Sequence, residues 1–442
     1  MSKSKIRFGW SRYTGVASSI KDMSRDSSSN NLDKFSKGLP IGLGRSYGDS
    51  GLNGTGISWS SKKLKKINVN PNTGIAICES GVTIGELERE ALRFGYFPPT
   101  VPGTEFVTIG GAFASNIHGK SHHVYGSFAD NVISIVLRNS KGQDFRLAPD
   151  DDSSEKFWAT AGGMGLTGFI ISVEIKLIKV ESSYFSVEEK RVANLTEIIA
   201  TILDFDEKFA YSVAWIDCSG NFIGRGLVLG GNHASKEALP EEIAKKPYQI
   251  DSPKIYSLPR FIPDGIINRV SIRLFNEMWF RKKTKSGYVN YQPFLHPLDF
   301  ISNWNRIYGK KGFIEYQFQI PFGSEDFLAH VLLKMKEYNA YSFLTVLKKF
   351  GQSDNPYLSF PTAGWTLSVD IPGSTKNLLQ LLEELDNLLV EKTGKIYLTK
   401  DVRMSSESFR RMYPDFKKWN KIRLQMEPNN YWESEQSGRL GI

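Results

Sequence analysis

Two cysteines in 442 residues, Cys78 and Cys218, exclude a disulfide framework and a cysteine-built metal cluster. That scarcity is compatible with a reducing compartment. No run of 18 apolar residues occurs, so no segment reads as a membrane-spanning helix. The start, MSKSKIRFGWSRYTG, is basic but has no apolar core of a secretory signal, which points to a cytoplasmic location. The dinucleotide fingerprint G-x-G-x-x-G is missing from the glycine-rich loops, so a nicotinamide-binding Rossmann reading loses its main support. His122-His123 invites a metal, but no third or fourth ligand follows at a sensible spacing, and a metal site is rejected.

What is present describes a folded enzyme-sized chain. Hydrophobic residues make up 40% and aromatics 12%, which is globular composition. The length exceeds one ordinary core, so two domains are expected. The net charge of +9 is uneven: residues 254–311 hold 11 Lys/Arg against 3 Asp/Glu. The same segment carries Tyr256, Phe261, Phe275, Trp279, Phe280, Tyr291, Phe294 and Trp304. Basic side chains interleaved with rings suit an anionic lipid surface. They also suit nucleic acid, so a basic nucleic-acid-binding protein without redox chemistry is an alternative of a different class. A solvated face over an aromatic cluster is the plain structural alternative. The low regularity of this segment reads as mobile loops.

Two glycine-rich stretches dominate the first half. Gly42-Leu43-Gly44-Arg45-Ser46-Tyr47-Gly48-Asp49 is answered by Pro102-Gly103-Thr104 through Thr108, Gly110, Gly111, Ala114, Ser115, Asn116, His118, Gly119 and Lys120. Glycines let main-chain N–H groups converge on an anion, and two such loops suit a phosphorylated cofactor clasped from two sides. Gly165 adds another close approach. Asp49 reads as structural, while Arg45 suits either a phosphate or a brace for its own loop.

Residues 40–70 read as strand, turn and strand. Thr83 to Glu86 is a capping box opening a helix whose core face is Leu87, Ala91, Leu92 and Phe94. Asn131–Leu137 and Gly168–Ile178 are strand-like. The second half alternates strand Phe313–Ile320, a helix from near Ser324 to Tyr338, strands Ser342–Phe350 and Trp365–Ile371, a helix from Lys376 to Lys392, and strand Lys395–Thr399. This β-α-β-β-α-β order is the ferredoxin-like plan, an antiparallel sheet with helices on one face. Alternation puts Tyr316, Phe318, Ile320, Trp365, Leu367, Val369 and Ile371 toward the helices, and Gln317, Gln319, Thr366, Ser368 and Asp370 on the other side. That polar side is a reasonable ceiling for a substrate pocket.

The glycine loops, with Asn116-Ile117-His118-Gly119-Lys120, Phe157-Trp158-Ala159-Thr160, Gly165-Leu166-Thr167-Gly168 and Tyr397-Leu398-Thr399-Lys400-Asp401, resemble the vanillyl-alcohol-oxidase superfamily of flavoproteins. Within it the chain is similar to the decaprenylphosphoryl-β-D-ribose 2-oxidase-like enzymes. The resemblance spans nearly the whole chain. It implies an α+β fold of two domains: an FAD-binding part at 1–182, a substrate-binding part at 183–394, and a C-terminal segment at 395–442 that returns to the first. It implies FAD held by Gly42, Leu43, Gly44, Arg45, Ser46, Tyr47, Gly48, Pro102, Gly103, Thr104, Thr108, Gly110, Gly111, Ala114, Ser115, Asn116, His118, Gly119, Gly165, Gly168, Ile170 and Tyr397. Covalent members of the superfamily attach flavin through His, or His and Cys, in the first loop. This first loop has neither, so dissociable FAD is expected.

The resemblance also implies chemistry. Lys400, His118 and Tyr47 would be catalytic. Lys120, Gln317, Lys348, Thr366 and Ser368 would bind substrate, with Lys120 and Lys348 suited to a phosphodiester. The reaction implied is oxidation of the 2-hydroxyl of a polyprenyl-phosphoryl pentose to a 2-keto sugar. An NAD(P)H-dependent reductase would complete epimerisation to an arabinose donor. Segment 254–311 would hold the protein peripherally at the inner face of the membrane. Thr366 and Ser368 depart from the mycobacterial enzymes, which carry Asn and Cys there. That cysteine anchors covalent inhibitors, which should therefore lose their anchor here. An aldonolactone or alditol oxidase of the same superfamily is the alternative enzyme. Those commonly carry a His-Trp-Gly-Lys type motif near the C-terminus, whereas the last histidine here is His330.

Overall fold

A computed structural model describes residues 5–26, 32, 37–219, 224–250, 256–259, 262–263, 265–353 and 355–442. Phe261, part of the aromatic and basic segment, lies outside the described residues. The fold is mixed α+β, with the two glycine-rich loops in the first half and one large antiparallel sheet in the second.

The first half holds two main sheets and the short pair Tyr96–Phe97 with Ile178–Lys179 among the described residues. One runs Lys5–Phe8, Gly15–Asp22, Ile57–Ser60, Gly38–Ile41 in spatial order. The other is antiparallel, with Val132–Arg138 and Phe169–Lys176 paired at its centre. Helix Ile84–Leu92 starts at the expected capping box: Glu86 N–H donates to the Thr83 hydroxyl, and the Glu86 carboxylate accepts from Thr83 N–H. Leu87, Ala91 and Leu92 are buried as expected. Phe94 is not. It follows the C-cap residue Arg93, so it leaves the helical periodicity and stays exposed.

Eight strands form the sheet of the second half, in the order Ser286–Asn290, Tyr184–Val192, Gly226–His233, Tyr211–Ile216, Thr345–Phe350, Gly364–Pro372, Phe313–Ile320, Lys395–Ile396. The last four are the expected ferredoxin-like unit, with helices Asp326–Glu337 and Leu378–Glu391. The first four repeat the same plan in mirrored spatial order. The two units join through Ala214 opposite Leu347 and Trp215 opposite Val346. Tyr316, Phe318, Ile320, Trp365, Leu367, Val369 and Ile371 pack into one core with Phe327, Leu328, Val331, Leu381 and Leu385 of the helices.

Two expectations need correction. The final strand stops at Ile396 instead of Thr399. Tyr397 N–H still reaches Gln317 O, but Lys400 N–H and Asp401 N–H turn back onto Tyr397 O and end the ladder. The segment read as mobile loops contains helix Arg269–Arg281, capped by the Asn268 side chain. Asn276 fixes it, donating to Asp217 Oδ1 at 2.8 Å and to Ser342 O at 3.0 Å.

After Asp401 the chain packs back on the first half. Trp419 Nε1 donates to Ala159 O at 2.8 Å. Arg439 bridges Asp49, which follows the first glycine loop, and Asp401, which follows Lys400, at 2.9 and 2.8 Å. Burial alone would raise both carboxyls. Arg439 and Arg403 outweigh it at Asp401 and hold that group below its usual range, whereas burial prevails at Asp49. The Asp401 contribution is therefore present at neutral pH and lost as acid protonates it, while Asp49 works the other way. Arg439→Met leaves both carboxylates buried without their shared cation. It should cost about 3 kcal/mol of stability, read from denaturant unfolding at neutral pH. An unchanged midpoint would show that the C-terminal helix does not brace the two loops.

Candidate functional site

A cavity opens between the two glycine-rich loops. Its walls include Gly42, Leu43, Gly44, Arg45, Ser46, Thr108, Gly110, Gly111, Ala114, Ser115, Gly165, Gly168 and Ile170, all of them among the residues named above for the cofactor. Ser50, Ser61, Ser80 and Met164 line it as well, outside the quoted motifs, and so does Thr399 of the Tyr397–Asp401 motif. Gly44 has φ +66°, a left-handed turn that aims the loop at the cavity. At Gly110 a Cβ would stand 2.7 Å from Ser80 Cβ, so the helix Ile109–Ala114 begins hard against the wall.

The wall is built for a polar guest. The hydroxyls of Ser50, Ser61 and Ser80 and Nε of Arg45 are buried without a hydrogen-bond partner among the described residues. Buried polar groups are normally satisfied, so four orphans around one cavity call for a ligand with acceptors. The Arg45 guanidinium lies 4.0 Å from the Trp10 ring centroid, and burial lowers its pKa.

Other expected cofactor residues fall outside this wall. Thr104 Oγ1 donates to Asp299 Oδ1 at 2.8 Å and Glu105 N–H to Oδ2 at 2.7 Å, so the loop with Pro102 and Gly103 is latched to the second half of the chain. A Cβ on Gly48 would meet Asp401 O at 1.7 Å, and one on Gly119 would meet Val101 O at 2.3 Å, so both serve close packing. Asn116 spans Ser359 Oγ and Ala129 N–H inside the framework.

Tyr47, His118 and Tyr397 belong to a second, adjoining cluster under the polar face of the large sheet. Tyr397 OH donates to Ser115 O at 2.8 Å, tying cluster to cavity wall. Gln317 Nε2 donates to His118 Nε2 at 2.9 Å and to Thr366 Oγ1 at 3.3 Å. The other ring nitrogen of His118 is buried without a partner among the described residues. Lys400 Nζ sits 3.3 Å from the centroid of the Tyr47 ring and 2.9 Å from Glu315 Oε2. Ser368 Oγ donates to Glu315 Oε1. Lys348 stands opposite Thr366 in the ladder. Lys120 donates to Leu295 O at 3.1 Å near the Phe294 ring.

The electrostatics follow from burial and crowded charge. Burial, then Lys348, His122 and Lys400, holds the His118 imidazole well below its ordinary range. Burial and Lys400 push Lys348 down to about 8; burial, Lys348 and Lys285 push Lys120 down to about 7. Burial and Glu315 raise Asp370 well above the carboxylate range, against the pull of Lys400. Glu315 and Asp370 were not singled out as site residues from the sequence. Glu315 shares the parity of Gln317 and Gln319 on its strand, and that signal sufficed to find it.

A family model described as the FAD binding domain matches residues 34–147. The chain is 36% identical over 407 residues to the decaprenylphosphoryl-β-D-ribose oxidase of Mycolicibacterium smegmatis, covering 91% of this chain and 88% of that one. It is 29% identical over 370 residues to an uncharacterised protein of Streptomyces coelicolor, covering 82% of this chain and all of the other. A D-lactate dehydrogenase of Archaeoglobus fulgidus is 33% identical over 108 residues, 23% of this chain and 24% of that protein. Gly110→Val would press against Ser80 and intrude on the cavity. The purified variant should lose most of its bound FAD, scored by visible absorbance per protein; full occupancy would place the cofactor elsewhere.

Proposed function

Since the chain belongs to the decaprenylphosphoryl-β-D-ribose oxidase family of FAD-dependent oxidoreductases, we propose that it oxidises the ribose 2-hydroxyl of a polyprenyl-phosphoryl ribose to the 2-keto sugar. The observation that carries the reading is the joined pair of sites: a glycine-walled cavity with orphaned donors, and beside it a buried cluster of Lys400, His118, Gln317, Thr366 and Lys348.

The walls of the cavity fit FAD. Loop 42–46 and the start of helix Ile109–Ala114 would take its phosphates, with Arg45 and the serines supplying donors. The wall contains neither His nor Cys, which supports dissociable cofactor. FAD, when bound, supplies the two-electron acceptor. The protein supplies position and charge. Lys400, set between the Tyr47 ring and Glu315, presents an N–H donor that orients the sugar hydroxyl and stabilises charge developing on its oxygen. Gln317 fixes His118, and Thr366 and Ser368 offer hydroxyls to the sugar. Lys348 and Lys120 would hold the phosphodiester. We place substrate recognition in the sheet of residues 183–394 and cofactor binding in the first half, with the C-terminal segment closing it. A 2-keto product calls for a separate reductase that returns hydride to the opposite face.

Helix Arg269–Arg281 supports a peripheral membrane role. Val270, Leu274 and Met278 form an i, i+4, i+8 stripe, each about two-thirds exposed at 66–67%. Arg273, Arg281 and Lys283 lie on the same helix or just beyond it. Lys282 is less available, because it pairs with Glu189 at 2.7 Å. Among the described residues no helix is long and apolar enough to cross a membrane. Leu274→Asp with Met278→Asp should abolish binding to phosphatidylglycerol vesicles in a flotation assay without changing bound FAD. Undiminished flotation would remove the helix from the membrane surface.

Two measurements test the chemistry. Anaerobic addition of a short polyprenyl-phosphoryl ribose should bleach the flavin; a protein that bleaches only with a lactone or alditol would be the other kind of oxidase. Lys400→Ala should keep its FAD and reduce it about 100-fold more slowly. KM for this substrate should rise as pH passes through about 7 and 8, where Lys120 and Lys348 lose their charge. A flat KM across that range would take the phosphodiester away from these lysines.

A further inference from the structure

Accepting the proposed oxidation, we infer that Glu315 is the catalytic base: it takes the proton of the sugar hydroxyl that Lys400 presents, while Asp370 beside it holds a proton and keeps the pair from competing.

The register of the ladder makes the pair. Glu315 on strand Phe313–Ile320 is directly opposite Asp370 on strand Gly364–Pro372, and both lie on the polar face. Directly opposed side chains in antiparallel strands stand within about 5.5 Å at Cβ. Glu315 is 7% exposed and Asp370 1%. Two carboxylates this close and this dry resist ionising together. The surrounding contacts then break the symmetry between them. Lys400 Nζ reaches Glu315 Oε2 at 2.9 Å, and Ser368 Oγ donates to Oε1, so Glu315 holds the contacts that suit an anion. Asp370 Oδ2 has no partner among the described residues, which suits a neutral acid.

His118 is the usual residue for such a task, but here it is not placed for it. Gln317 engages its Nε2, and Lys348 and Lys400 oppose its protonation. The other charged or titratable groups around Glu315 are Lys348, Tyr47, Tyr308 and Tyr397. The tyrosines are all raised by burial and stay neutral, so none competes as an acceptor at working pH.

The step balances. The hydroxyl O–H bond breaks and its proton passes to a Glu315 oxygen. The C2–H bond breaks and its electron pair leaves with the hydrogen as hydride. The alcohol becomes a ketone, and FAD held in the cavity would supply the two-electron acceptor. Lys400 passes its hydrogen bond from Glu315 to the substrate oxygen as the negative charge moves.

The test uses the holoenzyme and a short polyprenyl-phosphoryl ribose under anaerobic stopped flow. Glu315→Gln keeps the shape and the contacts to Ser368. It should retain FAD yet slow flavin reduction by about 100-fold or more, with the fall in rate on acidification abolished. Glu315→Asp should keep that acid fall at reduced rate. Wild-type rate and an unchanged pH profile in Glu315→Gln would overturn the assignment. Infrared difference titration reads the pair without turnover and covers the case of a variant that does not fold. A protonated-carboxyl band at neutral pH should vanish in Asp370→Asn; its persistence there would also overturn the assignment. A wild type that this substrate never bleaches would instead sink the functional reading itself.

Discussion

Strand Phe313–Ile320 is buried along its whole length, yet from Glu315 onward every second residue is polar. That is the constraint on which the molecule turns. Its apolar side is covered by the helices Asp326–Glu337 and Leu378–Glu391, as in any ferredoxin-like unit. Its polar side, Glu315, Gln317 and Gln319, is shut off from water and must find partners in protein. The sheet alone does not supply enough. His118 from the glycine-rich loop of the first half answers Gln317, and Lys400 from the turn after the last strand answers Glu315. The two halves thus come together because the sheet has a polar face it cannot expose.

Other contacts hold the same closure from different sides. Asp299 accepts from Thr104 and the Glu105 amide, and His296 pairs with Glu88 at 2.8 Å in a site without solvent. Asp206, Lys349 and His123 draw together helix Leu195–Lys208, strand Thr345–Phe350 and the segment after the second glycine loop. Arg439 ties the ends of two loops that both border the site. Apart from Lys349 with Asp206, each contact brings in a group from the first half or the C-terminal segment. The glycine-walled cavity and the polar cluster are held in register by these ties.

Much of this was legible in residue order, and the parts that were not have physical reasons. Glycine loops announce themselves, because few other residues tolerate the turn at Gly44 or the approach at Gly110. The period-two pattern of residues 313–320 gave the strand to the residue. The first ferredoxin-like unit stayed hidden, since strand Gly226–His233 carries three glycines and helix Arg269–Arg281 shows Val270, Leu274 and Met278 to solvent, so neither has the usual pattern. The early end of the last strand was equally invisible, as Tyr397 looks like a strand residue and turns only because its carbonyl accepts from Lys400 and Asp401. The unpartnered serines of the cavity wall come from three separate segments, and only the fold brings Ser50, Ser61 and Ser80 to one surface.

The charge inventory of the cluster explains why so many lysines are tolerated in a dry place. Lys120, Lys348 and Lys400 crowd one polar face, and two of them are pushed down toward neutrality. A site that kept three buried ammonium groups against one ionised carboxylate would be costly to fold. A phosphodiester placed among them, as proposed, would reverse the balance, because it would restore the charge that burial weakens on Lys120 and Lys348. In the proposed reading, binding of an anionic lipid headgroup would be coupled to proton uptake by the lysines, while the hydroxyl proton would leave at the other end of the cluster, beside Lys400. On that reading the cost of dehydrating the lysines would be recovered only by a ligand that carries both a phosphate and a correctly placed hydroxyl, and the same buried charges would be the source of both affinity and selectivity.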